Sequence, residues 1–415
     1  VRAMQYLGLV IVIAAWFALV GIIYLLRILG VKIPVRVYYG LFIMLRDEEL
    51  VKEVIAPLGN LLRRIPSWLI MALTIGLFLL SMFIIVPIPL TILGINVWGL
   101  PSMLYLMVRN LVLMVIAVTH KLSPIETVER GFTPLAPLIP GVTISLYTFI
   151  YVIVAIGLGI LLHEMAHGAV SSRFNVKIKS GGAFALLFLA FGGFVEIDEE
   201  ELRSRSLAVR LAVYSSGVFM NIVLAYIAVA LVGLALLSPQ LTQGLLGTTI
   251  VYVVNSTDAA FKTGYVITAI NGHPIASVYS LISTLGSVSS GNVTLTMYNP
   301  VNGAVINEVV STRNLTMALL GYSALYISPW NIVVESRSFY NLMFWIYTLN
   351  LTLALLNAFP AYPLDGGQFL DSLLSKVIVN QSVRSKVMIA LSIVFWSLIG
   401  LTLYYTLMTG LYRLI

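Results

Sequence analysis

The chain of 415 residues contains no cysteine. Disulfides and thiolate metal sites are therefore excluded, which leaves histidine and carboxylates as the side chains able to hold a metal. Charge is also scarce. Charged residues make up 10% of the sequence, where a soluble domain carries about 25%. The deficit lies in runs with no charge at all, at residues 3–26, 65–108, 131–162, 211–257, 338–364 and 387–412. About 20 apolar residues cross the hydrocarbon layer as a helix. Most of these runs are long enough, so the chain reads as a polytopic helical membrane protein. A large soluble core would need helices apolar on every face, which are rare outside lipid. The first run is too long for a signal-peptide core and reaches Arg27 without a small-residue cleavage pattern, so it reads as a retained span.

What charge there is sets an orientation. The net charge of +7 fits basic loops beside lipid headgroups and gives no reason to expect nucleic acid. Spans are expected near 4–26, 67–87, 144–166, 208–237, 340–360 and 387–410. The stretch 102–118 is apolar but holds Arg109 and Asn110. It is either a seventh span or a segment that lies in the membrane without crossing, with Pro87, Pro89, Gly94, Gly99 and Pro101 breaking the chain before it. Loops 31–66, 169–206 and 371–386 are basic, whereas 239–328 carries only Lys262 and Arg313. Positive loops stay in the cytoplasm. Six spans with both ends outside satisfy every loop.

Segment 239–328 differs in kind. Thr249–Val254, Val293–Tyr298 and Ala304–Val310 are short β-rich runs, and Asn302–Gly303 is a hairpin turn between the last two. A small β domain is expected here, outside the cytoplasm. Asn255, Asn292 and Asn314 open N-x-S/T sequons, which occur often by chance and weigh little. Residues 183–195 are apolar but too short to span, with glycines at 181, 182, 192 and 193. They are expected to dip into the membrane and return, with the backbone buried in protein or lining a wet cavity.

The chemistry is concentrated in His163-Glu164-Met165-Ala166-His167. Positions i and i+4 share a helix face, so both imidazoles can reach one tetrahedral zinc ion. Glu164 stands about 100° around the helix, placed to take a proton from a water that the metal acidifies. Two histidines and a glutamate closing a charge-free span are costly in lipid unless functional. The plain alternative is a polar helix end at headgroup level. A catalytic zinc wants three protein ligands and an open position. His120 and His273, the other histidines, belong to segments placed outside. Asp365 ends the charge-free run 338–364 at the matching depth. On topology alone it is either the third ligand or an interfacial cap, with Gly366 and Gly367 allowing a tight turn after it. The acidic run Asp198–Glu201 reads as a solvated loop, because consecutive like charges repel.

HEMAH at 163–167, followed by Asn357-Ala-Phe-Pro-Ala-Tyr-Pro-Leu-Asp-Gly-Gly367, resembles the site-2 protease family of intramembrane zinc metalloproteases. That family pairs H-E-x-x-H on one span with N-x-x-P-x-x-x-L-D-G on a later one, and the resemblance covers residues 131–415. It implies one zinc held by His163, His167 and Asp365, with Glu164 as general base. It implies supporting roles for Asn357 and for Asn221, which closes Ser216-Gly217-Val218-Phe219-Met220-Asn221, similar to the family's A-G-P-x-x-N with Ser216 and Val218 departing from it. Asn221 also reads as a helix–helix hydrogen bond. Residues 183–195 resemble the family's membrane-dipping β-loop, which pairs with an extended substrate by strand addition. Residues 258–275 are similar to a PDZ signature, with Tyr265 where aspartate is common.

The expected fold class is an all-α polytopic membrane protein with about six spans, a membrane-dipping β-loop and an inserted β-rich PDZ-like domain. The expected divisions are an N-terminal extension at 1–130, protease halves at 131–238 and 329–415, and the PDZ-like domain at 239–328. The implied activity is hydrolysis of peptide bonds in transmembrane segments of other proteins. The implied place is the cell membrane, with the site near the cytoplasmic side. Membrane-protein substrates and lipid are the expected partners. A zinc transporter, a catalytically silent scaffold, and a zinc protease with glutamate as third ligand are the competing readings. No glutamate follows Glu335, which counts against the last. The segment 1–130 lies outside the resemblance and carries no functional reading.

Overall fold

The long apolar runs fold as helices because lipid leaves their backbone no other hydrogen-bond partners. The computed structural model describes residues 7–31, 33–49, 51–83, 99–135, 137–140, 142–187, 190–236, 249–253, 265–275, 278–288, 291–299, 302–312, 323–327 and 332–411. Asn255, Asn314, residues 258–264 of the PDZ-like signature and the breaks at Pro87, Pro89 and Gly94 lie outside them. Two compact units are present, Val1–Ala225 with Thr348–Ile415, and Tyr226–Tyr347.

The first unit opens with α1 (Leu7–Ile28), then the hairpin β1 (Val35–Tyr38) and β2 (Phe42–Asp47). One π-helical turn (Val51–Ile55) leads into α2 (Ala56–Leu62), followed by α3 (Ser67–Phe83), α4 (Gly99–Thr119) and α5 (Pro124–Glu129). Helix α6 (Leu146–Arg173) carries H-E-x-x-H; β3 (Ile178–Leu186), β4 (Ala190–Ile197), α7 (Glu199–Ser204) and α8 (Leu207–Leu236) follow. Helix α10 (Ser336–Asn357) begins in the second unit and returns the chain to the first, where α11 (Asp365–Leu374) and α12 (Gln381–Met408) follow.

Among the described residues, five helices are long and apolar enough to cross a membrane, at Val10–Ile28, Gly99–Thr119, Leu146–Arg173, Leu207–Val232 and Gln381–Met408. A sixth exists only if Glu53–Leu62 and Ser67–Phe83, bent by 107°, count as one span. The set differs from the expected one. The stretch 102–118 is a full-length helix, whereas 67–87 yields 17 helical residues in α3 among those described. Helix α10 has 22 residues but is not among the five. Helix α4 packs along α12 in the same direction: Leu100 and Met107 lie against the Phe359–Phe395 cluster with Ile399, and Leu113 and Met114 lie with Tyr405 and Leu411.

Strands β1 to β4 form one antiparallel sheet in chain order, with β2 Phe42 opposite β3 Leu186 and Ala183 opposite Gly193 across β3–β4. Loop 31–66 was expected to be a plain basic loop; it supplies half of this sheet. Arg27 donates to Val35 O at one end of α1. Trp16 Nε1 donates to Gly40 O at the hairpin tip, 2.9 Å away. The two contacts are 11 residues apart on α1, so the hairpin runs back along about 16 Å of that helix.

The second unit holds β5 (Thr249–Val253), β6 (Tyr265–Ile270), β7 (His273–Pro274), α9 (Val278–Ser287), β8 (Asn292–Tyr298), β9 (Val305–Ser311), β10 (Ser323–Ile327) and β11 (Ile332–Glu335). Its strands order as β11-β10-β5-β6-β8-β9, with β7 on β6. Ile267, Ile270, Val293, Leu295 and Met297 are its buried centre. The hairpin β8–β9 turns through Asn302 and Gly303, where Gly303 has φ +72°.

Candidate metal centre

Helix α6 is fixed at both ends. Ser145 Oγ accepts the Thr148 N–H at 3.0 Å as an N-cap. At the other end Arg173 donates to Leu62 O (3.0 Å), Ile65 O (3.2 Å) and Ser67 Oγ (3.1 Å). Between them His163 and His167, one turn apart and both buried, bring their Nε2 atoms to 3.1 Å.

Asp365 arrives from the first residue of α11. Its helix starts hard against the preceding turn, because Gly366 lies against the carbonyls of Ala358 and Phe359, and a Cβ on Gly367 would sit 2.7 Å from the carbonyl of Ala361. Only glycine permits that approach. Asp365 Oδ2 thereby lies 3.1 Å from His163 Nε2 and 3.3 Å from His167 Nε2.

These three atoms form the His–His–Asp group that could hold a metal. Zinc bonds nitrogen at 2.0–2.1 Å in a tetrahedron, a geometry that separates two ligand atoms by about 3.3 Å. The observed spacings of 3.1, 3.1 and 3.3 Å match it. Asp365 Oδ2 is buried without a hydrogen-bond donor, so three lone pairs face one point. The residues present fit zinc.

The surroundings orient the ligands. His167 Nδ1–H donates to Val213 O at 2.8 Å, which leaves Nε2 free to coordinate. Ser216 Oγ sits 3.3 Å from the same Nδ1 and donates to Val213 O at 2.7 Å. Gly217, next along α8, presses its bare Cα face on both imidazoles; a Cβ there would overlap His163 Nε2 and His167 Nε2. One turn further, Asn221 is 1% exposed, and its Oδ1 has no hydrogen-bond partner. Glu164 Oε2 accepts the Val195 N–H at 2.9 Å, tying the base to β4. Asn357 is half-buried at the end of α10. Asn350, which belongs to no motif, is fully buried beside Gly159 and donates to Ala155 O at 3.3 Å, locking α10 on α6.

Among the described residues, the metal-binding group takes in no other candidate from the sequence. His120 is exposed at the end of α4 and His273 is exposed in β7. Asp198 caps α7, and Glu201 accepts the Lys177 N–H at 2.9 Å. Backbone N–H groups on these two carboxylates, with Lys179 and Arg205 nearby, hold both below the usual range.

The family model described as peptidase family M50 matches residues 151–401, from the first turns of α6 to α12. The chain belongs to this family. Peptidase family M50 is the site-2 protease family that the two motifs resemble. The M50 chain is 26% identical over 265 residues to an uncharacterized protein of Methanocaldococcus jannaschii. That alignment covers 63% of this chain and 65% of the relative's length. Family and apolar helices together point to an integral membrane protein.

Proposed function

We propose that the protein is an intramembrane zinc endopeptidase that hydrolyses a peptide bond in transmembrane segments of other proteins. The observation that carries this reading is the convergence of His163 Nε2, His167 Nε2 and Asp365 Oδ2 from two helices nearly 200 residues apart in sequence. A zinc ion held there would supply a Lewis acid for the peptide carbonyl and for the attacking water. Glu164 takes a proton from that water and returns it to the departing amine nitrogen, so water adds across the C–N bond and leaves a carboxylate and an amine. Asn221, with its unpartnered buried oxygen, is placed to accept an N–H of the substrate backbone. Asn357 steadies the segment that carries Asp365.

Strand β4 supports a role in holding the substrate. It is the outer strand of its sheet among the described residues. Residues on an antiparallel strand alternate between facing the partner and facing away. Val195 N–H points away from β3, to Glu164, so Gly193 offers its N–H and C=O on the same open side. A transmembrane helix hides its carbonyls in hydrogen bonds. Unwound and added to β4, it would present one to the site. The sheet's dip into the bilayer is supported by its path along α1 and by exposed Tyr39, Leu41 and Leu186 near its tip.

Six crossings by α1, α4, α6, α8, α10 and α12 keep the proposed orientation, with α4 in place of 67–87. The second unit is read as a PDZ-like domain outside the cytoplasm that screens out bulky substrates. Metal content and cleavage of a model transmembrane substrate test the whole reading. Glu164→Gln is expected to keep zinc and lose cleavage, and Asp365→Ala to lose both. A Glu164→Gln protein that cleaves like the parent would overturn the proposal; zinc transport surviving in that variant would favour a transporter.

A further inference from the structure

A cavity of 230 Å³ opens beside Glu164. Gly157 and Ile160 of α6 form one wall, Phe184 and Phe194 of the sheet another, and Val54 and Ile55 of the π-helical turn the third. Among the described residues lining it, Glu164 is the one that carries charge; the others are apolar or glycine. We propose that this cavity receives one substrate side chain next to the scissile bond, and that Gly157 with Val54 and Ile55 makes it selective for a large aliphatic or aromatic residue. This inference rests on the protease reading above.

Position, size and chemistry argue for it together. The general base stands in its wall, so whatever fills it lies beside the attacked carbonyl. Small-molecule sites occupy about 300–1,000 Å³; this cavity is smaller, on the scale of one side chain. A peptide added to β4 sends alternate side chains to opposite faces of the sheet, and the face toward α6 is where the cavity lies. A polar side chain would leave water and find no partner there. The space itself depends on missing Cβ atoms. At Gly193 a Cβ would touch Glu164 Cγ at 3.1 Å, while at Gly157 it would meet nothing within 4 Å. A larger residue at 157 therefore enters the cavity without moving backbone. Val54 and Ile55 precede the family match at 151–401, so this wall belongs to the N-terminal extension of the chain.

The test uses the full chain in detergent micelles, with model transmembrane substrates carrying Ala, Asn, Leu or Phe at each position flanking the cleaved bond. Mass spectrometry identifies the bond, and kcat/KM gives the preference. One methylene in an apolar pocket shifts kcat/KM by about 10–200-fold. The parent protein is expected to favour Leu or Phe over Ala at one flanking position by at least about 10-fold. Gly157→Leu is expected to erase that ratio, while Gly400→Leu, at an equally open position of α12, leaves it unmoved. Val54→Ala enlarges the cavity and is expected to move the Phe-to-Leu ratio toward Phe, a second readout should Gly157→Leu fold poorly. Cleavage in which Gly157→Leu leaves the Leu-to-Ala ratio unmoved and Val54→Ala leaves the Phe-to-Leu ratio unmoved would overturn the pocket alone. Absence of any cleavage by the zinc-loaded parent would overturn the protease reading beneath it.

Discussion

Gly217→Ala is the sharpest perturbation of the metal centre, because it adds one methyl group and removes no ligand. The new Cβ would overlap the Nε2 atoms of both histidines. Ordinary carbon contacts lie at about 3.5–4.0 Å, so the rings must retreat by roughly 1 Å. Metal–ligand distances tolerate about ±0.2 Å. The displacement is about five times that tolerance, and at least one imidazole leaves the coordination sphere. Loss of ligand orientation alone costs about 10–100-fold in metal affinity; loss of a ligand should exceed the upper figure, or about 2.7 kcal/mol. Folding of the metal-free chain should change far less. Overpacking costs about 1–3 kcal/mol, and replacing a mid-helix glycine with alanine returns about 1 kcal/mol. The assay is zinc competition against a chromogenic chelator, run beside thermal unfolding of the metal-free protein. Zinc affinity should fall at least about 100-fold while the metal-free unfolding midpoint moves by a few degrees. A Gly217→Ala protein that binds zinc like the parent would refute the packing of α8 on the histidine pair.

Zinc removal itself should destabilise the protein. At a free concentration of 100 times Kd, a bound ligand adds about 2.7 kcal/mol, so a chelator should lower the unfolding midpoint of the parent and leave Asp365→Ala unmoved. Gly193→Ala crowds Glu164 Cγ at 3.1 Å and Ile160 Cγ2 at 3.3 Å. It should lower kcat with zinc content intact, and an unchanged kcat would argue against Glu164 as the base. Trp16→Phe deletes the hydrogen bond to Gly40 O, costing about 1 kcal/mol; amide exchange in 35–47 should quicken while that in α6 does not. Arg173→Ala removes three hydrogen bonds to 62–67, and should cost about 2 kcal/mol, read as a lower unfolding midpoint.

The cluster of His163, His167 and Asp365 was legible in the sequence because each half of it is local. His163 and His167 are one turn apart, so any helix brings them together. Asp365 stood out as the charge that closes a long apolar run. Their meeting depends on glycine: Gly217, Gly366 and Gly367 let three backbones approach. A single sequence shows glycines without showing what they make room for. The β1–β2 hairpin was not legible. Its strands are 4 and 6 residues long, and Arg36, Arg46 and Lys52 gave the stretch the look of a loop. Its partner β3 lies some 140 residues downstream. Helix α4 was obscured by Arg109 and Asn110. The structure pairs them internally: Arg109 donates to Gly131 O, and Asn110 exchanges two hydrogen bonds with the Thr133 backbone at 2.8 and 3.0 Å. A polar pair that bonds to its own chain argues less against burial, although Arg109 Nε stays without a partner among the described residues.

The first hairpin has a consequence for anyone who would trim the chain to its family core. Starting at residue 131 would strip β3 of its neighbour β2 and leave a row of bare amides along its edge, where each buried group left without a partner costs about 1–3 kcal/mol. Such a fragment would bare the edge of β3 that β2 covers in the longer chain, and should clump or unravel. Residues 33–65 are thus a splint for the part that matches the family, and expression trials that retain them should yield dispersed protein where shorter ones do not.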